Sequence, residues 1–377
     1  MKAFKYKLRI SKKIEDSFNR TLAICCDLYN AGLQERRDAY RIAGKSISYS
    51  EQCSELTEVR EADADVAGIY SQVTQDALRR LNKTFLSFFA RVKRGDKAGY
   101  PRFRSKSRYD SFTYPQRGFR LESDKLHLTK IGCVRLRLSR PVEGKIKTCT
   151  IKRQADGWFV IFAVEENQCR YFPKTGNVVG LDVGIESFAT LSTGEAIDNP
   201  KYLRAAEREL KVAQRKLSKK KRGGQNRKKA VRALARKHLK VANRRKDFFH
   251  KRSLDLIREF DEIAVEDLKI AGMVKNHHLA KSISDAAWGT FLLILTSKAE
   301  DAGRRVWRVS PQFTSQDCSN CGNRVRKSLA VREHRCVACG LVLHRDHNAA
   351  INILGRADRF ARGKATCPND QRILAHL

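Results

Sequence analysis

Two Cys-x2-Cys pairs, Cys318 with Cys321 and Cys336 with Cys339, lie fourteen residues apart near the C-terminus and constrain this chain more than any other feature. Two such knuckles deliver four thiolates to the corners of a tetrahedron, the arrangement that zinc prefers. Gly322 and Gly340 each follow the second cysteine of a pair. A tight knuckle that aims backbone amides at sulfur needs glycine there. A redox Cys-x2-Cys requires one pair only, so the matched second pair argues for metal. Four protein ligands leave no open coordination position, and the expected single zinc therefore holds structure and does not activate water.

The remaining seven of the eleven cysteines, Cys25, Cys26, Cys53, Cys133, Cys149, Cys169 and Cys367, follow no disulfide spacing. They read as structural or incidental thiols of a reducing compartment. The first thirteen residues carry five Lys and one Arg with no apolar segment, and the longest aliphatic run is Phe291 to Leu295. Neither a signal peptide nor a membrane span is expected, and the cytosol is the expected location. At 377 residues the chain is long enough for two or three compact units. Its 77 Lys and Arg against 41 Asp and Glu leave a net charge of +36, far beyond what solubility needs. A polyanionic partner, nucleic acid first, is the physical implication.

Along the chain, Phe4, Tyr6, Leu8 and Ile10 alternate with basic residues as a strand does, and a helix follows over about Lys13 to Ile42. A second helix is expected over about Gln75 to Val92, with Leu78, Leu81, Phe85, Phe88 and Val92 as its core stripe. Between Gly95 and Arg108, Lys97, Arg102, Arg104, Lys106 and Arg108 interleave with Tyr100 and Phe103. That is the composition of a loop that holds phosphate and stacks on bases, although a plain solvated loop has the same look. Short alternating runs from Ser111 to Phe172, including Val134 to Leu138 and Trp158 to Val164, predict small, mostly antiparallel β structure. Val178 to Ile185 reads as a buried strand that opens a hairpin through Thr193-Gly194.

Between Lys201 and Arg252 there are 22 Lys or Arg and three acids, on two expected helices broken at Gly223-Gly224. Leu210, Ala213 and Leu217 form an apolar seam on the first, and Val231, Leu234 and Ala242 a looser one on the second. Such a density of like charge repels itself unless phosphates neutralise it. Lys219, Lys220, Lys221 and Arg222 at the break are the leading candidates for that contact.

Three acids stand in apolar settings. Asp182 sits within Gly180-Leu181-Asp182-Val183-Gly184, and Glu266 within Ile263-Ala264-Val265-Glu266-Asp267-Leu268. Asp346 precedes the apolar run Ala349 to Leu354 at an expected helix N-terminus. Singly they read as a turn former, a strand end and a helix cap. Together, an Asp on a first strand, a Glu on a later strand and an Asp on a last helix match the pattern of the RNase H-like fold. There three acids hold two divalent cations about 3.5 to 4 Å apart for in-line phosphodiester cleavage. Oxygen ligands suit magnesium or manganese.

The ordered set Gly180 to Ile185, Ile263 to Leu268, Ser282-Ile283-Ser284-Asp285-Ala286-Ala287-Trp288-Gly289, the four cysteines, and Arg345-Asp346-His347-Asn348-Ala349-Ala350-Ile351-Asn352 resembles the TnpB family. These are transposon-encoded, RNA-guided nucleases related to the compact type V CRISPR effectors. Gly99-Tyr100-Pro101-Arg102-Phe103-Arg104 and Asn199-Pro200-Lys201-Tyr202 extend the resemblance over nearly the whole chain.

The resemblance implies an α/β multidomain protein: an RNase H-like (RuvC) nuclease domain with a four-cysteine zinc-ribbon insert, a β-barrel-like wedge domain and a helical recognition domain. In this sequence it implies wedge residues 1–12 and 105–175, recognition 13–104, nuclease 176–311, zinc insert 312–343, a nuclease C-terminal helix 344–359 and a tail 360–377 read as poorly ordered. Asp182, Glu266 and Asp346 become the catalytic acids and magnesium ligands, and Tyr49, Gln75 and Thr113 lie where the family reads a short transposon-associated DNA motif. Tyr114 stands beside them where some relatives carry a polar amide.

A guide RNA, a double-stranded target DNA and a place with the nucleoid in a prokaryotic cytosol are implied with no membrane partner. Two other readings stay open: a guided DNA-binding repressor that does not cut, which the three intact acids disfavour, and a DNA-joining transposase or transposase accessory, for which no helix-turn-helix is evident.

Overall fold

Residues 1–165, 171–328 and 331–364, with side chains to 359, are described by a computed structural model. Cys169 and Cys367 fall outside these residues. The chain divides into two compact units, Met1–Gln168 and Cys169–Leu377. Among the described residues no helix is long and apolar enough to cross a membrane.

The first unit opens with β1 (Lys2–Arg9), in which Phe4, Tyr6 and Leu8 are buried and the intervening residues are not. Four helices follow, α1 (Lys12–Ala43), α2 (Tyr49–Ala62), α3 (Ala64–Ala67) and α4 (Ser71–Lys93). Ser11 caps α1 by accepting from the Ile14 amide, and Gly44 ends it at φ +63°. Next come β2 (Ser111–Tyr114), β3 (Phe119–Glu122), β4 (Lys125–Leu128), β5 (Gly132–Arg137), β6 (Lys145–Gln154) and β7 (Gly157–Glu165).

The seven strands form an antiparallel sheet in the order β2-β6-β7-β1-β5-β4-β3. Among the described residues no pairing joins its end strands into the expected barrel. The helices share one core with this sheet: Phe18 of α1 packs 5.7 Å from Phe112 and 5.0 Å from Trp158, ring centre to ring centre.

The second unit contains β8 (Val178–Val183), β9 (Ser187–Leu191), β10 (Ala196–Asp198), α5 (Tyr202–Ser218), α6 (Gln225–Glu259), β11 (Glu262–Glu266), α7 (Ile270–Met273), α8 (His277–Ala286), α9 (Trp288–Asp301) and β12 (Arg305–Val309). A two-stranded ribbon, β13 (Glu333–Arg335) with β14 (Val342–His344), leads into α10 (Arg345–Lys364). The larger sheet has the order β10-β9-β8-β11-β12, with β8, β11 and β12 parallel to one another, β9 antiparallel to β8, and β10 antiparallel to β9.

Alternation along the strands decides what each face carries. Val179, Leu181, Ile263 and Val265 pack with Phe249, Phe291 and Leu295 of α6 and α9. The even-numbered residues face the other way, where Ala264 packs with Ile353 and Ala357 of α10. Gly180 shares that second face, and a methyl group there would stand 2.0 Å from the Ala350 carbonyl oxygen. The helix backbone therefore touches the strand at Gly180, and Asp182 and Glu266 are the next residues on the same face.

Several expectations shift. The α4 stripe outruns the core, since Leu78, Leu81 and Phe85 are buried but Val92 is 51% exposed. The basic hairpin closes through Leu210, Ala213 and Leu217 on α5 against Leu234 and Val241 on α6. Val231 is 46% exposed and Ala242 is exposed, so the seam of α6 is rotated about one residue from the expected one. The last helix continues to Lys364, which places residues 360–364 of the expected tail in helix. Residues 365–377 lie outside the described residues. The helix α2 was not anticipated, because its apolar positions are few; a Ser48–Glu51 capping box starts it.

Two glycine substitutions on either side of this contact have opposite expected outcomes. Gly180→Ala should lower stability by about 1–3 kcal/mol through overpacking. Gly355→Ala, inside α10 with open space around it, should raise it by roughly 0.5–1 kcal/mol. Thermal unfolding of the purified variants checks both, and a neutral Gly180→Ala would contradict the close approach.

Candidate metal centres and nucleic-acid surfaces

The three acids come from three elements. Register pairs Val265 of β11 with Leu181 of β8, so one further step sets Glu266 beside Asp182 on neighbouring parallel strands, about 4.8 Å apart. Asp346 is 9% exposed in the first turn of α10. Its Oδ2 lies 3.8 Å from where a Gly184 side chain would begin, at the end of the β8 segment. The Asp182 carboxyl is pushed well above the usual aspartate range, first by burial, then by Glu266 and Asp346, with Arg345 opposing. Burial raises Glu266 too, against a hydrogen bond from Thr314 and the Arg356 charge. Three anions held this way repel one another, and a divalent cation is the group that relieves them.

Supporting contacts radiate from α10. Asn348, Asn352 and Arg356 recur every fourth residue and so share one helix face. The Asn348 amide accepts from the Ser319 backbone amide at 2.9 Å and donates to the Asp317 carbonyl at 2.9 Å. Asn352 donates to the carbonyls of Thr314 at 2.9 Å and Asp317 at 2.7 Å. Arg356 donates to Ser310 and Gln312 carbonyls at 2.8 and 2.7 Å and pairs with the Asp317 carboxylate. The chain so held carries Thr314, 3% exposed, whose hydroxyl donates to Glu266 Oε1. Sequence reasoning gave Thr314, Asp317 and Arg356 no role. The four-residue spacing of Asn348, Asn352 and Arg356 was the available signal.

The four cysteines place all their sulfur atoms within 4.8 Å of one another. Cys318 and Cys339 Sγ are 3.6 Å apart, and Cys321 and Cys336 Sγ 3.5 Å, near the roughly 3.8 Å edge of a tetrahedron with Zn–S bonds of about 2.3 Å. Gly322 and Gly340 both take φ +75°, and each donates to the carbonyl of the first cysteine of its pair at 2.9 Å.

The Leu341 amide leads the groups that hold Cys339 down at about 6. At Cys336 burial opposes, and the Cys339 and Ala338 amides outweigh it. Cys321 receives the Asn323 amide, yet its neighbouring thiols push it up to about 12. Four adjacent sulfurs cannot all be anions without a cation among them, and amides already aimed at sulfur suit a zinc thiolate centre.

The expected nucleic-acid residues are scattered. Lys219, Lys220, Lys221 and Arg222 are exposed at the turn joining α5 to α6. That hairpin is fastened to its unit by Asp285, which accepts from the Leu203 and Arg204 amides at 2.9 and 3.3 Å and pairs with Arg245 at 3.1 Å. In the other unit, Arg102 and Arg104 line a cavity of about 620 Å³ with Phe103, Arg108, Ser105 and Ser107.

Asn30 pins the Arg104 backbone there through two 2.8 Å hydrogen bonds. Tyr49 and Gln75 are half-buried on α2 and α4. Thr113 accepts from Arg80 at 2.8 Å and shares a 2.9 Å hydrogen bond with Thr150. Tyr114 is a correction: at 1% exposure it stacks on Tyr70 and donates to the Thr129 carbonyl, so it belongs to the core and not to a DNA-reading surface.

Comparison with known proteins gives a consistent picture. A family model described as "Probable transposase" matches residues 161–277, and one described as "Cas12f1-like, TNB domain" matches residues 288–353. A Streptomyces pristinaespiralis protein named "Putative RNA-guided DNA endonuclease" is 37% identical over 362 residues, covering 94% of this chain and 88% of that protein. An Escherichia coli protein of the same description, InsQ, is 30% identical over 374 residues, covering 94% and 92%. Among solved structures, a Cas12f1-sgRNA-target DNA complex has the same fold, with a TM-score of 0.59 at 15% identity over 91% of this chain and 83% of that one.

Metal analysis should return about one zinc per chain. Cys336→Ser or zinc removal should cost at least about 2 kcal/mol, roughly 4–8 °C in the melting of a unit of this size. Zinc-free protein with unchanged melting contradicts the assignment.

Proposed function

Because this chain belongs to the TnpB family of RNA-guided DNA endonucleases, we propose that it binds a guide RNA and cleaves double-stranded DNA beside a short transposon-associated motif. The observation that carries the reading is the meeting of Asp182, Glu266 and Asp346, from two parallel strands and a helix, where burial, then Glu266 and Asp346, push the Asp182 carboxyl up. The strand order β10-β9-β8-β11-β12, with β9 antiparallel to both its neighbours and acids on β8 and β11, supports an RNase H-like (RuvC) nuclease domain. The ribbon between β12 and α10 supports the zinc insert. Recognition by the helices of residues 13–104 and a wedge built from the antiparallel sheet complete the proposed organisation.

Asp182, Glu266 and Asp346 would hold magnesium or manganese through carboxylate oxygen. Such ions lower the pKa of bound water and neutralise charge on the leaving oxygen of a phosphodiester. The chain's own residues do the rest. Thr314 fixes one Glu266 oxygen by hydrogen bond and favours its anionic form. Arg356 and the two asparagines keep the Thr314 segment against α10. The exposed basic turn at Lys219 to Arg222 neutralises backbone phosphate, so binding weakens steeply as salt rises. Sequence is read by base pairing with the guide, while the protein contacts backbone and shape. The cytosol, beside the nucleoid, is the proposed location.

The test is a plasmid carrying a matched target, offered with magnesium to protein purified with its co-expressed RNA. The parent should cut and Asp182→Ala should fall to background; equal cutting by both means the acids are misassigned. Target occupancy without cutting across a metal titration favours the repressor reading.

A stability measurement gives a second arm. A raised carboxyl means that the folded protein holds more protons than the unfolded chain between about pH 3.9 and the raised value, so this group's contribution falls as pH rises through that window. At neutral pH, without added magnesium, Asp182→Asn should therefore melt higher than the parent. Added magnesium should raise the parent more than the variant, and equal shifts contradict a shared cation site.

A further inference from the structure

Phe313 has a backbone φ of +61°, where a bulky aromatic residue is a genuine outlier. Its carbonyl accepts from the Gln316 and Asp317 amides, both at 2.9 Å, in a turn that glycine would make without strain. The turn therefore accounts for the conformation but not for the phenyl ring. Phe313 is 45% exposed, so burial does not account for the ring either.

Two neighbours give the ring a setting. The next residue, Thr314, donates its hydroxyl to Glu266. The guanidinium of Arg324 lies 3.7 Å from the ring centroid, and its Nε is held at 2.8 Å by Asp317, whose other carboxylate oxygen pairs with Arg356 at 3.3 Å. An exposed aromatic ring with a fixed cation on it is a stacking platform for a nucleobase. Strained residues persist where the surrounding structure holds them, and they concentrate at functional sites.

We propose that Phe313 stacks on an unpaired base of the DNA strand offered to Asp182, Glu266 and Asp346, and thereby fixes which phosphodiester reaches the acids. This rests on the nuclease reading and deepens it. The ligand is single-stranded, because the bases of a duplex already have their faces occupied.

The experiment uses the complex purified with its RNA and a matched DNA carrying 2-aminopurine at successive positions around the cut. It compares the parent with Phe313→Gly and Phe313→Trp. Phe313→Gly relieves the backbone and should melt no lower than the parent, yet cut about ten- to a hundred-fold more slowly, the scale of one lost base stack, and at scattered positions. Phe313→Trp should restore rate and position. One 2-aminopurine position should be quenched by the parent and the Trp variant but not by the Gly variant.

Parental rate and cut position in Phe313→Gly overturn the proposal. A lowered melting temperature that Phe313→Trp does not repair overturns it too, by making the ring structural. If the parent itself does not cut, the nuclease reading fails. The quenching arm still decides the stacking claim in the bound complex: quenching that depends on the ring sustains it, and equal signals from all three proteins overturn it.

Discussion

Everything proposed for the second unit depends on one contact, the seating of α10 on β8 at a residue with no side chain. Gly180 lets the Ala350 carbonyl come within a distance that any Cβ would block. The consequence is geometric. A helix that lies this close to the sheet delivers its first turn, with Asp346, to the end of the strand that carries Asp182. Strand register then brings Glu266 alongside. A wider helix–sheet spacing would leave three unrelated carboxylates, each with an ordinary role as cap or strand end.

The four-cysteine ribbon is tied into the same contact. Ser319 sits between the first two cysteines, and its amide is bound by Asn348, two residues beyond Asp346. Asn352 and Arg356 bind the segment that leads into the ribbon, and that segment supplies Thr314 to Glu266. Ordering the four thiolates around a cation therefore orders the backbone that orients two of the three acids. A zinc held by all four thiolates would have no position open for chemistry and would act on the acids only through this helix face.

Much of this was legible in the sequence because the signals were local. The paired Cys-x2-Cys knuckles, the apolar runs around Asp182 and Glu266 and the polar start of α10 each announce their element within a few residues. What stayed hidden was relational. The seam of α6 shifted because Ala230 and Val231 satisfy the same periodicity, and only the partner helix chooses between them. Tyr114 stood among the motif readers on the strength of the resemblance alone, and the fold around its strand buries it. Val92 continued a stripe after the core had ended. Thr314 and Phe313 carry no motif signal of their own, since a hydroxyl on a distant carboxylate and a positive φ are properties of the folded turn.

The central claim is that three acids brought together by the Gly180 contact form one shared site for divalent cations. Electron paramagnetic resonance of the zinc-loaded protein titrated with manganese tests it most directly. A pair of exchange-coupled manganese ions should form in the parent and be lost in Asp346→Asn, which removes one charge while keeping the shape of the side chain. Isolated uncoupled ions, or a coupled pair that survives in Asp346→Asn, would contradict it.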